Sequence, residues 1–297
     1  MEKHTTVFLT EAVHALAITP RDIIVDATLG SAGHARAIVD ALHKGGTFVG
    51  IDADYVAIDA AQECFKGAKA TVHLQVGNFR NIDSILDALN IASVHGILAD
   101  LGWRMEQFSG NGRGFSFQVD EPLHMTFGDP GAYPFTAHDI VNEWKEEDIK
   151  NVLTAYGEER YAYKIAKRIV EVRAIAPIAT TFALVAVIKE AVPSFYLHGK
   201  IHPATRTFQA LRIAVNDEFE ALEHFIQKSI ARLLPGGRLA IISFHSLEDR
   251  IVKHTFRAYA VGNQGTVITK KPITPSREEL LSNPRARSAK LRIFEKS

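Results

Sequence analysis

Short apolar runs alternate with amphipathic segments along the first hundred residues of the chain. The apolar runs, each of strand length, are residues 22–28, 46–52, 71–76 and 94–100. The segments with helical spacing of apolar positions run to about residue 43, over 55–65 and over 82–89. Strands that alternate with helices in this way predict an α/β fold with a doubly wound, mostly parallel sheet.

The pattern changes after residue 100. Residues 101–134 are rich in Gly, Phe and Pro without a clear period, which is typical of a long functional loop. Residues 136–192 have helical periods and no strand pattern. The sequence therefore predicts an inserted, mainly helical subdomain of residues 105–213. The sheet domain that it interrupts comprises residues 1–104 and 214–297.

The strand pattern returns after the insertion. A helix is predicted over 205–234, followed by a turn at Pro235-Gly-Gly and a buried strand at 238–243. A helix over 248–259 comes next. Two further segments, 267–271 and 288–294, are predicted to close the sheet as a pair of strands.

Composition narrows the class of protein. Lys and Arg together number 34, as do Asp and Glu, so the chain lacks the overall basic excess of many nucleic-acid binders. The basic residues nevertheless concentrate near the end, over residues 283–296. No apolar run is long enough to span a bilayer, and the single cysteine, Cys64, excludes an intrachain disulfide. We expect a cytoplasmic protein without a membrane partner.

A turn between the first strand and the first helix is the first candidate site. Gly30 and Gly33 allow the backbone to approach a ligand closely, and the helix start offers unpaired N–H groups. The pattern is not G-x-G-x-x-G, which disfavours a dinucleotide and a nicotinamide-dependent oxidoreductase. Taken alone, the turn is equally consistent with a plain tight turn.

Polar and aromatic residues end the next three strands. Asp52 can accept hydrogen bonds from ribose hydroxyls or cap a helix, and Asp54 is available for the capping role. Phe79 can meet an adenine ring or pack in the core. Asp100 ends the fourth strand. The carboxyl ends of parallel strands converge on one crevice, so we expect these residues to share a pocket with Gly33.

Two later passages carry residues suited to RNA. Arg206 and Arg212 lie on the helix predicted from residue 205, where they can hold phosphate or stay solvated. His245 follows the strand at 238–243, on the edge where substrates approach. A Ser–His hydrolase is disfavoured because Ser243 lacks the G-x-S-x-G elbow. The histidines do not have metal-ligand spacing, so no metal is predicted.

Motifs spread almost from end to end resemble one bacterial enzyme family. They are His4-Thr-Thr-Val7, Gly30 to His34, Gly112-Arg-Gly-Phe-Ser-Phe117, Tyr156-Gly-Glu-Glu-Arg160, His202 to Asn216, Ser243 to Lys253 and Asn283-Pro-Arg-Ala-Arg-Ser288. On these motifs the chain resembles the RsmH (MraW) family, which methylates the exocyclic amine of a cytidine in small-subunit ribosomal RNA.

The resemblance implies a class I methyltransferase (Rossmann-like) fold with S-adenosylmethionine as cofactor. At matching positions, the cofactor-binding residues are Ala32, Gly33, His34, Asp52, Phe79, Asp100 and Gln107. The implied reaction is methylation of the N4 amine of a cytidine in 16S ribosomal RNA. The implied partner is that RNA or the assembled 30S subunit, with the inserted subdomain recognising it. The sequence leaves open whether the chain forms a homodimer.

The chemistry of the target suggests roles for individual residues. The lone pair of a cytosine amine is delocalised into the ring, so an acceptor for its N–H would favour the nucleophilic geometry. We expect Asp100 to be that catalytic acceptor. The base must leave its stack, and Trp103, Phe115 and Phe117 are candidates to receive it.

Two passages depart from the family pattern. The stretch Trp103-Arg-Met-Glu106 stands where a Ser-Ser-Pro-containing stretch is usual, and Leu123-His-Met-Thr-Phe127 replaces Leu-Asp-Met-Arg-Met. The altered stretch at Trp103 to Glu106 keeps a second function open: a non-catalytic protein that senses S-adenosylmethionine and binds RNA or assists ribosome assembly.

Overall fold

A seven-stranded sheet is formed by strands from the beginning and the end of the chain. The computed structural model describes residues 6–101 and 112–297. The strands are β1 Ile23–Asp26, β2 Thr47–Asp52, β3 Thr71–Val76, β4 Val94–Asp100, β5 Leu233–Ser243, β6 Gly265–Val267 and β7 Lys290–Lys296. Their order across the sheet is β3-β2-β1-β4-β5-β7-β6. Strands β1 to β5 are parallel, and β7 is antiparallel to both β5 and β6. The predicted doubly wound, mostly parallel sheet is confirmed.

Among the described residues, seven helices lie in the same two parts of the sequence as the strands. They are α1 Leu9–Ala15, α2 Gly33–Ala41, α3 Tyr55–Cys64, α4 Ile82–Ala88, α11 Glu218–Arg232, α12 Ser246–Val261 and α13 Arg277–Ser282. The intervening helices are α5 Ala137–Glu143, α6 Glu146–Gly157, α7 Ala162–Arg173, α8 Thr181–Ala191, α9 Ser194–Leu197 and α10 Thr205–Asn216. Short 3₁₀ turns lie at Phe79–Asn81, Pro130–Ala132 and Pro284–Ser288.

Alternation along the strands divides the apolar side chains between two layers. Ile24 faces one core, which also holds Ile38 of α2 and Ile58 of α3. Its neighbour Val25 faces the other core, which Phe225 of α11 and Phe256 of α12 complete. Because both faces of the sheet are covered by helices, its central strands are buried throughout and read as continuous apolar runs.

The inserted residues build a core of their own. Buried side chains of α5 to α8 and α10 pack together, with Ile140, Ile165 and Leu211 fully shielded from solvent. The chain forms two compact units. One comprises Met1–Gly102 and Phe219–Ser297, and the other comprises Trp103–Glu218. The boundaries predicted from sequence were 104/105 and 213/214. Recognition of substrate by the insertion stays a prediction.

The helix predicted over 205–234 is two helices. The chain leaves helical geometry at Asp217, which has a left-handed backbone with φ of 49°. The preceding Asn216 is drawn away from solvent, because its amide donates to the carbonyl of Met125 at 2.7 Å and accepts from the N–H of Phe127 at 3.0 Å. These tertiary hydrogen bonds end α10 where the apolar period alone continues.

The predicted turn at Pro235-Gly-Gly lies inside β5. The pairing of β4 with β5 shifts there, so that Val94 opposes Leu233 and Gly96 opposes Arg238. Gly236 has a φ of 77°, which a glycine adopts without strain. The turn residues therefore form a bulge within the strand.

In the described part of the chain, none of the helices combines the length and apolarity that a membrane span requires.

Candidate active site

The turn between β1 and α2 is a close-packed cradle. Gly30 and Ala32 both have left-handed backbones, with φ of 56° and 60°. A Cβ on Gly33 would overlap the side-chain oxygen of Thr6, so the N-terminal segment leaves room only for glycine. Among the described residues no side chain caps the start of α2. The first N–H groups of α2 are therefore suited to an anionic ligand group such as a carboxylate.

Asp52 holds this turn to the end of β2. Its Oδ2 accepts a hydrogen bond from the N–H of Gly30 at 2.8 Å, and its Oδ1 accepts from the N–H of Asp54 at 2.9 Å. Asp54 in turn accepts from the N–H of Val56 and caps α3, as predicted. The expectation that this cap leaves Asp52 uncommitted is wrong. A carboxylate can accept about four hydrogen bonds, so binding of ribose hydroxyls is chemically compatible with these two.

The side chains of His34 and Asp100 lie close together beside this turn. His34 is buried, and its Nε2 lies 2.9 Å from the carbonyl oxygen of Val7. Its Nδ1 lies 3.8 Å from Oδ2 of Asp100, whose side chain is 22% exposed. The N–H of Asp100 donates to the hydroxyl of Thr28 at 2.6 Å, which fixes the end of β4 beside the turn.

Asp26 is a site residue that the sequence reasoning missed. It ends β1, is almost fully buried, and accepts from the N–H of Thr28 at 3.1 Å through Oδ1. Its Oδ2 has no hydrogen-bond partner among the described residues. Burial raises the pKa of Asp26 to about 6, opposed by His34 and reinforced by Asp100 and Asp52. A carboxylate at the end of a buried strand was the available signal.

The site thus combines opposite electrostatic tendencies over a short distance. Asp26 interacts electrostatically with both Asp52 and Asp100, and carboxylates so grouped favour a cationic ligand group. The start of α2 favours an anionic one. S-adenosylmethionine carries a sulfonium, an ammonium and a carboxylate, so the orphaned oxygen of Asp26 and the glycine cradle fit the predicted cofactor.

Phe79 lies at the start of the turn that follows β3. β3 pairs with β2, where Val76 opposes Asp52, so Phe79 is on the same edge of the sheet as the acids. Its ring is half-buried and packs edge-to-face on Phe225 at 5.2 Å between centroids. Contact of Phe79 with adenine stays a prediction, and part of the ring serves the core.

Two of the remaining predicted site residues lie on α10, and two lie outside the described residues. Trp103 and Gln107 fall in the latter group. Arg212 forms a two-pronged ion pair with Glu218, with Nε 2.7 Å from Oε1. Arg206 lies one and a half turns earlier on α10 and is half-buried. RNA binding by these arginines stays a prediction.

His245 and the two phenylalanines have structural contacts of their own. His245 caps α12, accepting from the N–H of Glu248, and its Nε2 lies 3.0 Å from Oε1 of that residue. Phe115 stacks on Phe127 at 5.6 Å between centroids. Phe117 stacks on His202 at 4.4 Å. Their predicted roles toward RNA are neither supported nor opposed by these contacts.

Comparison with known proteins identifies the family. The model of the MraW methylase family matches residues 1–297. The ribosomal RNA small subunit methyltransferase H of Brevibacillus brevis is 44% identical over 308 residues, covering 99% of this chain and 98% of that protein. The enzyme of the same name from Deinococcus radiodurans is 45% identical over 295 residues, covering 99% and 90%.

A solved structure is similar at a greater distance. An rRNA methylase from Streptococcus thermophilus matches with a TM-score of 0.45 at 12% identity, covering 100% of this chain and 98% of that one. The resemblance predicted from the motifs is confirmed by the family match over the whole length. The chain belongs to the MraW methylase family, and its cofactor is S-adenosylmethionine.

Proposed function

We propose that this chain transfers a methyl group to the exocyclic N4 amine of a cytidine in 16S ribosomal RNA. Family membership and the names of relatives about 44% identical over nearly the whole chain support a small-subunit ribosomal RNA substrate. The motif resemblance supports the N4 amine of cytidine. The observation that carries the chemistry is the grouping of Asp26, Asp52 and Asp100 around the turn before α2.

The chain's own groups account for cofactor binding. When bound, S-adenosylmethionine supplies an electrophilic methyl group on a sulfonium centre. Asp52 would hold the ribose, and the start of α2 would hold the carboxylate of the methionine part. Asp26 offers its unpartnered oxygen to the ammonium. Charge pairing in this buried setting is stronger than in water, so these groups would fix the donor firmly.

Asp100 would orient the acceptor amine. Its backbone is fixed by Thr28, while its carboxylate remains partly accessible. A carboxylate that accepts a hydrogen bond from the amine draws the nitrogen toward a pyramidal geometry and exposes its lone pair. Alignment of reacting groups of this kind can lower a barrier by several kcal/mol, and a positioned acceptor contributes about 10²–10⁴-fold in rate. Asp100 would also receive the proton that the methylated amine releases.

Transfer of a labelled methyl group tests this function directly. Purified chain is incubated with methyl-labelled S-adenosylmethionine and small subunits from cells that lack the chain, and the labelled nucleoside is identified. The proposal predicts label in N4-methylcytidine of 16S ribosomal RNA. A non-catalytic assembly protein would bind the cofactor and the subunits and leave the RNA unlabelled, and that result would overturn the proposal. A cytoplasmic location stays a prediction.

A further inference from the structure

A basic groove lies along one edge of the sheet, apart from the candidate active site. α12 forms one wall, and β6 with the segment that follows it forms the other, around a cavity of about 630 Å³. Its cationic side chains are Lys253, Arg257, Lys270 and Arg292, and its floor includes Phe256. Among the described residues that line it, no side chain is a carboxylate.

Three of the four cations are not neutralised. Arg292 is buried and paired with Asp249, its Nε lying 2.6 Å from Oδ1. Lys253, Arg257 and Lys270 have no carboxylate within 4 Å in the part of the chain that the structure describes. Lys253 and Arg257 are four residues apart on α12 and therefore project from the same face of that helix. Arg257 and Lys270 are exposed.

The segment that surrounds the groove is itself positively charged. Residues 251–297 contain ten Lys and Arg against three Glu, a net charge of +7, although the whole chain is neutral. A concave surface lined by positive charge attracts anions and raises their local concentration. Asn263 and Thr266, which also line the groove, add uncharged groups that can hydrogen-bond to phosphate or sugar.

The groove extends along β7, and only its Arg292 end approaches the catalytic edge of the sheet, because Thr266 pairs with Glu295 at the level of Arg238. Asp100 pairs with Ile242 on β5, and Ile242 pairs with Leu291 on β7. Adjacent strands are about 4.8 Å apart, so the backbone at Leu291 lies roughly 10 Å from Asp100 across the sheet. Arg292 is the next residue and faces the groove. A strand of RNA that follows the groove from Thr266 toward Arg292 would therefore lead toward the proposed acceptor site.

We infer that this groove binds the sugar–phosphate backbone of the substrate RNA at a distance from the nucleotide that is methylated. The inference rests on the proposed function for the identity of the polymer, and it adds a binding surface outside the cofactor site. Contacts to phosphate position a nucleic acid without reading its sequence, so the groove would supply affinity and register. Each neutralised phosphate on a single strand releases counterions and contributes about 0.7 to the salt dependence of binding.

The test compares two triple variants of the full chain. In the groove variant, Lys253→Gln, Arg257→Gln and Lys270→Gln remove three cations. In the matched control, Lys44→Gln, Lys69→Gln and Arg21→Gln remove the same charge from exposed residues that precede β2, β3 and β1, at the opposite end of those strands from the catalytic edge. Binding of a fluorescently labelled single-stranded 16S ribosomal RNA segment is measured over a range of salt concentrations.

The groove variant should bind this RNA about tenfold more weakly at moderate salt, and the slope of log K against log salt should become less negative by about 2. The control should keep the slope of the unmodified chain. Equal slopes in both triple variants would overturn the inference. If the groove triple fails to fold, the double variant of the exposed Arg257 and Lys270 replaces it, with an expected change in slope of about 1.4.

Failure of the groove and failure of the proposed function give different results. RNA that binds with a groove-dependent slope but is never methylated would refute the methyl transfer and leave the groove assignment intact. Methyl transfer and RNA binding that both survive in the groove variant at unmodified levels would refute the groove alone. Binding of S-adenosylmethionine, measured by calorimetry, should be unchanged in both triple variants because neither alters the cradle before α2.

Discussion

The imidazole of His34 lies between the backbone of Val7 and the carboxylate of Asp100, with Nε2 2.9 Å from the carbonyl oxygen and Nδ1 3.8 Å from Oδ2. A carbonyl oxygen can only accept, so Nε2 carries the hydrogen. His34 thus links the N-terminal segment at Val7 to the carboxylate at the end of β4.

Asp100→Asn should stop methyl transfer while leaving the site assembled. The hydrogen bond to Thr28 comes from the backbone N–H of residue 100 and survives the change. An amide is a weaker acceptor and cannot take up the proton, so we expect kcat to fall by about 10²–10⁴-fold. Methyl transfer to small subunits and calorimetric binding of S-adenosylmethionine are measured side by side.

The matched control for this change is Asp40→Asn, at an exposed aspartate on α2. It should retain both binding and turnover. An Asp100→Asn variant that turns over within threefold of the unmodified chain would remove Asp100 from the mechanism.

Asp26 makes stability depend on pH in an unusual direction. Its carboxyl ionises near pH 3.8 when unfolded and near pH 6 when folded, so the folded chain binds more protons in that interval. Its contribution is fully favourable below pH 3.8 and is lost as the pH rises through 6. The difference between the two pKa values corresponds to about 3 kcal/mol.

Asp26→Asn should therefore raise the free energy of unfolding of the cofactor-free chain at pH 8, by about 1–3 kcal/mol. The gain should shrink as the pH falls from 6 toward 4. The same variant should bind S-adenosylmethionine more weakly, because the cationic groups lose a carboxylate. Urea unfolding at several pH values is the measurement. A stability difference from the unmodified chain that stays constant from pH 4 to 8 would refute the shifted pKa.

Gly33→Ala tests the packing of the N-terminal segment over the cofactor turn. The added Cβ would overlap the side-chain oxygen of Thr6, so we expect a loss of about 1–3 kcal/mol in the free energy of unfolding. The double variant with Thr6→Ala should recover part of that loss, because the obstructing hydroxyl is gone. Gly131→Ala is the control, since a Cβ there meets nothing closer than 3.7 Å. Additive losses at positions 6 and 33 would contradict the contact.

Asn216 should be required for the break between α10 and α11. Its side chain satisfies the N–H of Phe127 and the carbonyl of Met125, both on the segment that departs from the family pattern. Asn216→Ala leaves two backbone groups without partners, so we expect a loss of about 2–4 kcal/mol by urea unfolding. Asn216→Asp keeps the acceptor for Phe127 but sets a carboxylate oxygen against the carbonyls of Met125 and Arg212, so it should lose at least as much. A loss below about 1 kcal/mol in Asn216→Ala would contradict the contribution of these bonds.

Much of the sheet could be predicted because strands buried on both faces appear as continuous apolar runs. β3 and β4 have the predicted bounds, and Asp54 caps α3 as expected. The break at Asp217 could not be predicted, since hydrogen bonds to residues 91 and 89 positions away in sequence cause it.

Prediction of the site was also limited by contacts between residues that are distant in sequence. The strand-end rule found Asp52 and Asp100 because position along a strand is visible in sequence. Asp26 was missed because the predicted strand continued to residue 28, whereas β1 ends at Asp26. Its unpartnered oxygen and raised pKa depend on burial and on neighbouring acids that only the fold brings together. The cations of the basic groove were likewise invisible as a group, since α12 and β6 assemble them from separate segments.

Mass spectrometry of nucleosides from 16S ribosomal RNA tests the central claim most directly. RNA is prepared from cells with the chain, from cells without it, and from deficient cells that carry the unmodified chain or Asp100→Asn. We expect that an N4-methylated cytidine disappears with the chain, returns with the unmodified form and stays absent with the variant. An identical nucleoside content in all four preparations would contradict that claim.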